Sequence, residues 1–164
     1  MNRSMSEDEL AEMASTERKG APLPDLDRFV NAQADVYERA LEELRNGAKQ
    51  SHWMWFVFPQ IAGLGRSEMT RFYAIADAAE AGRYLTHPML GSRLHECCKA
   101  LLPWAGKRTI EAIMGPVDAM KLKSSMTLFA QVADDSAPFT AILSAFFAGQ
   151  RDDATLALLS PRGT

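Results

Sequence analysis

The stretch Trp53–Gly65, which reads W-M-W-F-V-F-P-Q-I-A-G-L-G, constrains the fold more than any other part of this 164-residue sequence. Two of the three tryptophans and two of the eight phenylalanines fall within its first six positions. If these rings were exposed, they would form an apolar patch large enough to drive association, so most of them must be buried. Pro59 and the two glycines that follow end the aromatic part and favour a tight turn. We therefore expect a buried aromatic segment followed by a glycine-rich loop at the edge of a pocket.

The run Trp53–Phe58 has the apolar content of a short buried strand, but no other segment reads as a strand that could pair with it. A lone buried strand would leave backbone donors and acceptors without partners, which costs about 1–3 kcal/mol for each group. A helical turn or an irregular packed segment is therefore the better interpretation. Elsewhere apolar residues recur at spacings of three and four, as in Leu90, Leu94, Cys97 and Leu101, which predicts helices.

The fold class that follows is all-α, with a single compact multi-helical domain of about seven or eight helices. Asp25, Ser67 and Asp152 are candidate N-caps, and Asn46-Gly47 is a candidate helix end. We expect a polar leader at 1–21, the helical domain at 22–159 and a loose tail at 160–164. The expected helices cover residues 26–45, 67–75, 77–85, 88–102, 109–114, 117–133, 138–147 and 154–159.

The charge of the chain is unevenly distributed. The net charge is −3, yet residues 45–123 carry 11 basic and 6 acidic side chains, whereas residues 1–44 carry 5 basic and 11 acidic ones. A nucleic-acid-binding domain would show a strongly basic balance or a basic helix, and this chain has neither. The positive middle section instead favours a small anionic ligand.

Several classes of protein are disfavoured by what the sequence lacks. It contains no H-E-x-x-H, C-x-x-C, G-x-S-x-G or P-loop motif, so we predict no metal and no cofactor. No apolar stretch approaches the roughly 20 residues of a membrane span, and the acidic start is unlike a signal peptide. The two cysteines, Cys97 and Cys98, are adjacent, which suits free thiols in a reducing compartment. Together these features predict a cytoplasmic protein.

The candidate site combines the aromatic stretch with one face of the predicted helix at 117–133. Asp118, Lys121 and Ser125 share that face because they are three and four residues apart, near a helix start that attracts anions. We expect this face to lie opposite the glycine-rich loop. The alternative is an N-terminal carboxylate with an ordinary surface ion pair. The residues expected to bind ligand are Gln33, Trp53, Trp55, Gln60, Gly63, Gly65, Arg66, Ser67, Lys121, Ser124 and Ser125.

The catalytic candidates are His52, Asp118 and Lys121, of which His52 directly precedes the aromatic run. The other two histidines, His87 and His95, are expected to cap a helix and to be solvated, respectively. Gln33 interrupts the apolar stripe of the first helix, so it either lines the pocket or is a buried amide bonded to a neighbouring backbone.

Three functional hypotheses follow. The first is a binding protein for an anionic, nucleotide-like small molecule, because aromatic walls and basic side chains suit a planar ligand that carries phosphate. The second is a hydrolase or glycosidase that acts on a nucleotide or an ADP-ribose-type compound, with Asp118 or His52 as acid and base. The third is a non-catalytic protein-interaction module in which the aromatic stretch is only core.

The same stretches carry a family resemblance. The phrase S-H-W-M-W-F-V-F-P-Q-I-A-G-L-G at Ser51–Gly65 resembles the signature of a bacterial family known as domain of unknown function 1810. The resemblance extends through D-L-D-R-F-V-N-A-Q at Asp25–Gln33, Y-L-T-H-P-M-L-G at Tyr84–Gly91 and K-L-K-S-S-M-T-L-F at Lys121–Phe129. It implies a compact, mainly helical fold and supplies no activity. The name calpastatin, sometimes given to such proteins, denotes a long disordered inhibitor and finds no support in this aromatic-rich sequence.

Overall fold

A computed structural model of the chain describes residues 26–160. The predicted leader at 1–21, the predicted cap Asp25 and tail residues 161–164 lie outside the described residues. The described part forms ten α-helices and one 3-10 turn and has no strand, which confirms the all-α prediction. The helices are α1 (Asp27–Gln33), α2 (Tyr37–Arg45), α3 (Met54–Val57), α4 (Glu68–Phe72), α5 (Ala78–Thr86), α6 (Leu90–Leu101), α7 (Ile110–Met114), α8 (Pro116–Val132), α9 (Ala137–Phe147) and α10 (Asp153–Leu159), and the 3-10 turn is Leu102–Trp104.

Helix α8 is the central element of the fold. It is the longest helix in the described chain, at 17 residues, and every residue from Ser124 to Ala130 is buried. A helix that is buried on all sides must be surrounded by other elements. Here α5, α7, α9 and α10 pack around it, while α6 packs against α2, α5 and α9.

The aromatic segment is buried, as the sequence predicts, and belongs to a larger cluster of rings. Trp53 and Phe58 are fully buried, and Phe56 lies 5.2 Å from the ring of Tyr73. Tyr84 on α5 meets Phe129 on α8 with ring centroids 5.3 Å apart. Phe29 links these two pairs, since its ring centroid lies 6.0 Å from that of Tyr73 and 5.2 Å from that of Tyr84. These tilted and edge-on contacts suit the quadrupoles of the rings, and together they join the aromatic segment to the central helix.

The predicted helix at 26–45 is wrong as a single element, because the chain turns at residues 34–36 between α1 and α2. At the turn, Val36 N–H donates to the carbonyl of Gln33, three residues earlier, at 3.1 Å. In an α-helix the acceptor would lie four residues earlier, so the backbone turns more tightly here. The break allows Phe29 on α1 and Tyr37 on α2 to be buried on separate surfaces. This split, together with the short helix α3, explains why the structure has more helices than predicted.

The glycine-rich loop returns to the core through one isolated parallel bridge between Ile61 and Ile75. Ser67 caps α4 as predicted, since its Oγ accepts the N–H of Thr70 at 3.1 Å. Helix α4 ends at Phe72 and does not continue to Ile75, because the N–H of Ile75 donates to the carbonyl of Gln60 at 2.8 Å.

Other local predictions are confirmed by single hydrogen bonds. Nδ1 of His87 accepts the N–H groups of Met89 and Leu90 at the start of α6. Asp152 caps α10 by accepting the N–H of Thr155.

Both cysteines are free thiols and both are buried. Within residues 26–160, no helix combines the length and the apolar character that crossing a bilayer requires.

Gly91, in the first turn of α6, should be intolerant of substitution. A Cβ at this position would lie 2.1 Å from the backbone carbonyl oxygen of Leu85, which cannot rotate away. We expect Gly91→Ala to lower the free energy of unfolding by roughly 1–3 kcal/mol, because two packed helices must move apart. The measurement is urea denaturation at pH 7.

Gly82 provides the matched control, since it also lies in a helix and a Cβ there meets no atom within 4 Å. Gly82→Ala should stabilise the protein by up to about 1 kcal/mol through helix propensity. Equal effects of the two substitutions would contradict the close approach at Gly91.

Candidate functional site

The structure brings the aromatic segment and the polar face of α8 into contact. The ammonium of Lys121 lies 5.0 Å from the ring centroid of Trp55, within the range of a cation–π interaction. Trp55 is half-buried, and the Lys121 side chain keeps 23% of its surface exposed. This contact is therefore open to solvent on one side. We call Lys49, Trp53, Trp55, Asp118 and Lys121 the tryptophan–lysine cluster.

Lys49 joins the cluster from the segment that precedes the aromatic run. Its Nζ lies 2.8 Å from Oδ2 of Asp118, 2.7 Å from the carbonyl oxygen of Ser51 and 4.8 Å from the ring centroid of Trp53. Its side chain is only 6% exposed. A buried ammonium is tolerated when it is paired and hydrogen-bonded, as this one is. The backbone N–H of Lys49 also donates to the carbonyl of Ile113 at 2.7 Å, which fixes its position against α7.

The two lysines do not share Asp118 equally. Lys49 holds the carboxylate at 2.8 Å, whereas Lys121 lies 3.9 Å from its other oxygen, at the outer limit of an ion pair. Lys49 therefore provides most of the compensation for the carboxylate charge. The ammonium of Lys121 is left partly exposed above an aromatic ring.

Glu43 on α2 fixes the buried side of the cluster through hydrogen bonds. Its carboxylate accepts hydrogen bonds from the N–H groups of Gln50 and Ser51, the Ser51 hydroxyl and the indole Nε1 of Trp53, at 2.7–3.0 Å. Burial alone would raise the pKa of Glu43, but these four donors outweigh it and lower the pKa to about 2. The charged carboxylate therefore fixes the indole of Trp53 and the turn that leads into it.

The two serines that were candidates occupy different environments. Ser124 Oγ donates to Asp152 at 3.0 Å and so ties α8 to the start of α10. Ser125 is fully buried, and its hydroxyl has no hydrogen-bond partner within residues 26–160. An unpaired buried hydroxyl costs about 1–3 kcal/mol. Helical spacing puts Ser125 on the same face as Asp118 and Lys121.

Gln33 and His52 are not part of the cluster. Gln33 is buried in the core, where its Nε2 donates to the carbonyl of Phe56 at 2.7 Å and its Oε1 accepts from Arg93 at 3.2 Å. This is the arrangement that the buried-amide alternative predicts. His52 is exposed on the surface beside the aromatic run.

The two glycines of the loop lie close to neighbouring side chains, which leaves little room for a side chain of their own. A Cβ at Gly63, where φ is +105°, would meet Leu158 on α10 at 3.1 Å, and one at Gly65 would meet the side chain of Thr70 at 2.7 Å. Neighbouring Arg66 is exposed and Gln60 is half-buried. Among residues 26–160, no group of three or more His, Cys, Asp or Glu side chains is placed to hold a metal ion.

Sequence reasoning missed Lys49 and Glu43. Glu43 lies three residues after Ala40, within the apolar stripe of α2, so a carboxylate on a buried face was an available signal. Lys49 had no comparable signal, because its partner Asp118 lies on a distant helix.

The hydrogen bonds to Glu43 predict a specific dependence of stability on pH. Because folding lowers this pKa from about 4.5 to about 2, the stabilisation is complete above pH 4.5 and is lost as pH falls from 4.5 to 2. The contribution is roughly 3 kcal/mol at neutral pH. We expect Glu43→Gln to be less stable at pH 7 and to lose less stability than the wild type between pH 4.5 and pH 2, measured by urea denaturation at each pH.

Glu38→Gln is the matched control, because Glu38 lies on the same helix and is exposed. It should keep the pH profile of the wild type. A wild-type profile in Glu43→Gln would show that the carboxylate of Glu43 is not held by the donors described.

Comparisons with known proteins agree with this architecture. The family model described as "Protein of unknown function (DUF1810)" matches residues 23–159, and that described as "Protein of unknown function (DUF3008)" matches residues 1–24. The comparison with curated proteins gives no match. The crystal structure of the conserved hypothetical protein Rv1873 from Mycobacterium tuberculosis is 51% identical, with a TM-score of 0.80, and the match covers 82% of this chain and 96% of that one. On the extent of the first match, the chain belongs to the DUF1810 family of proteins of unknown function.

Proposed function

We propose that this protein binds a small anionic molecule, nucleotide-like in carrying both a planar ring and a phosphate, at the tryptophan–lysine cluster. The observation that carries the proposal is the placement of Lys121 over Trp55, with its ammonium only loosely paired to Asp118 at 3.9 Å. A partly exposed cation above an aromatic face offers charge to a phosphate and a flat surface to a base.

The cluster supports binding because its inner part is already rigid. Lys49, Asp118 and the indole of Trp53 are held by ion pairs and hydrogen bonds that need no ligand. A ligand that contacts Lys121 and Trp55 would therefore order few additional side chains, and preorganisation of this kind favours affinity.

The geometry favours binding over hydrolysis or glycosidic cleavage. Both oxygens of the Asp118 carboxylate face lysine ammonium groups, at 2.8 and 3.9 Å, so the carboxylate already serves as an ion-pair acceptor. His52, the other acid–base candidate, is exposed, and within residues 26–160 the ion-pair partners of Asp118 are the two lysines and not His52. A general acid–base pair would need to converge on one reacting bond. The interaction-module alternative stays a prediction.

The test is a ligand-induced shift in melting temperature with nucleoside mono-, di- and triphosphates, ADP-ribose and inorganic phosphate. A ligand at 100 times its dissociation constant should stabilise the wild type by about 2.7 kcal/mol. For nucleoside monophosphates, Lys121→Ala should abolish most of that shift, since it removes the accessible cation of the cluster. Trp55→Leu should reduce the shift for nucleotides more than for inorganic phosphate, because it removes only the ring.

Lys123→Ala is the matched control, because it removes the same charge two positions further along α8. It should leave the shift unchanged. The proposal fails if none of these anions stabilises the wild type, or if Lys121→Ala and Lys123→Ala behave alike.

A further inference from the structure

A groove of about 820 Å³ lies where the end of α2, one side of α6 and the 3-10 turn meet. We call it the Trp104 groove. It contains none of the residues of the tryptophan–lysine cluster. The lining residues that carry charge or a ring are Arg45, His95, Glu96, Lys99, Trp104 and Lys107.

The groove carries more positive than negative charge, although the chain as a whole is acidic. Its carboxylate, Glu96, already accepts a hydrogen bond from the hydroxyl of Tyr37 and faces Arg45 at 3.9 Å. Within the described part of the chain, neither Lys99 nor Lys107 has a carboxylate within 4.0 Å. Two lysines that line the groove therefore have no fixed counter-charge, and the resulting positive potential attracts anions.

One wall of the groove is a rigid aromatic ring. The indole Nε1 of Trp104 donates to the carbonyl of Leu44 at 3.2 Å. The ring also lies against Gly47, where a Cβ would come within 2.6 Å of it and where φ is +66°. Only glycine suits both the close approach and this backbone conformation. The indole is thus fixed before any ligand arrives, and its ordering adds no entropic cost to binding.

The positive side chains come from three different elements and converge on one concavity. Arg45 ends α2, Lys99 lies in the last turn of α6, and Lys107 follows the 3-10 turn. A volume of about 820 Å³ falls within the roughly 300–1,000 Å³ of typical small-molecule sites. Guanidinium and ammonium groups in this arrangement suit several phosphate oxygens at once.

We propose that the Trp104 groove is a second anion-binding site that takes a small compound with two or more phosphate groups. Arg45, Lys99 and Lys107 supply the charge, and Trp104 supplies a flat wall. The site is independent of the proposed function, because it shares no residue with the tryptophan–lysine cluster.

The test is isothermal titration calorimetry of the full chain with inorganic tripolyphosphate. All variants carry Lys121→Ala, so that binding at the tryptophan–lysine cluster does not contribute. We expect Lys121→Ala alone to bind the probe at one site. Adding Lys99→Ala and Lys107→Ala should weaken that binding by roughly tenfold or more, because two ion pairs between the protein and the bound tripolyphosphate are lost.

The matched control adds Arg71→Ala and Lys123→Ala, which remove the same charge from positions outside the groove. It should bind like Lys121→Ala alone, and circular dichroism should show that all variants remain folded. Equal weakening in both triple variants would mean that net charge alone drives binding, and this would overturn the proposal. Absence of binding to Lys121→Ala would also overturn it, as would tighter binding of a hexaglutamate peptide than of tripolyphosphate.

Discussion

The buried carboxylate of Glu43 is the constraint on which the geometry of the candidate site depends. A charge in this position is tolerated only because four donors from Gln50, Ser51 and Trp53 surround it. Those donors fix the turn that enters the aromatic segment. Lys49 lies one residue before that turn, and its ammonium bonds to the carbonyl of Ser51. The carboxylate therefore sets where Lys49 meets Asp118 and, through Trp53, where the aromatic segment begins.

Elsewhere in the core, buried polar groups follow the same rule: each is tolerated because it has hydrogen-bond or ion-pair partners. Arg28 and Glu80 form a buried ion pair at 3.0 Å, and Arg28 also donates to the carbonyls of Phe72 and Ala74. Losing one partner of such a pair leaves an uncompensated charge, so the two residues specify how α1, α4 and α5 fit together. Ser125 departs from this rule, since its hydroxyl has no partner within residues 26–160. That exception lies on the face of α8 that forms the candidate site.

Local chemistry was predictable from the sequence, whereas most of the individual long-range contacts were not. The caps at Ser67 and Asp152 follow from side chains that bond to N–H groups three residues away, and the burial of the aromatic segment follows from its composition. The hydrogen bond from the Gln33 side chain to the carbonyl of Phe56 joins residues 23 positions apart, and helical periodicity does not reveal such a contact. The pairing of Lys49 with Asp118 likewise depends on how α7 and α8 fold back on the aromatic segment.

The three tryptophans occupy three distinct environments. Trp53 is fully buried in the inner part of the tryptophan–lysine cluster, next to a carboxylate and an ammonium. Trp55 is half-buried on the exposed side of the same cluster, and Trp104 is half-buried in the Trp104 groove. Indole emission depends on polarity and on nearby charge, so each surface carries its own optical reporter and the core supplies an internal reference. Variants that keep two of the three indoles would assign a spectral change to one surface without any attached dye.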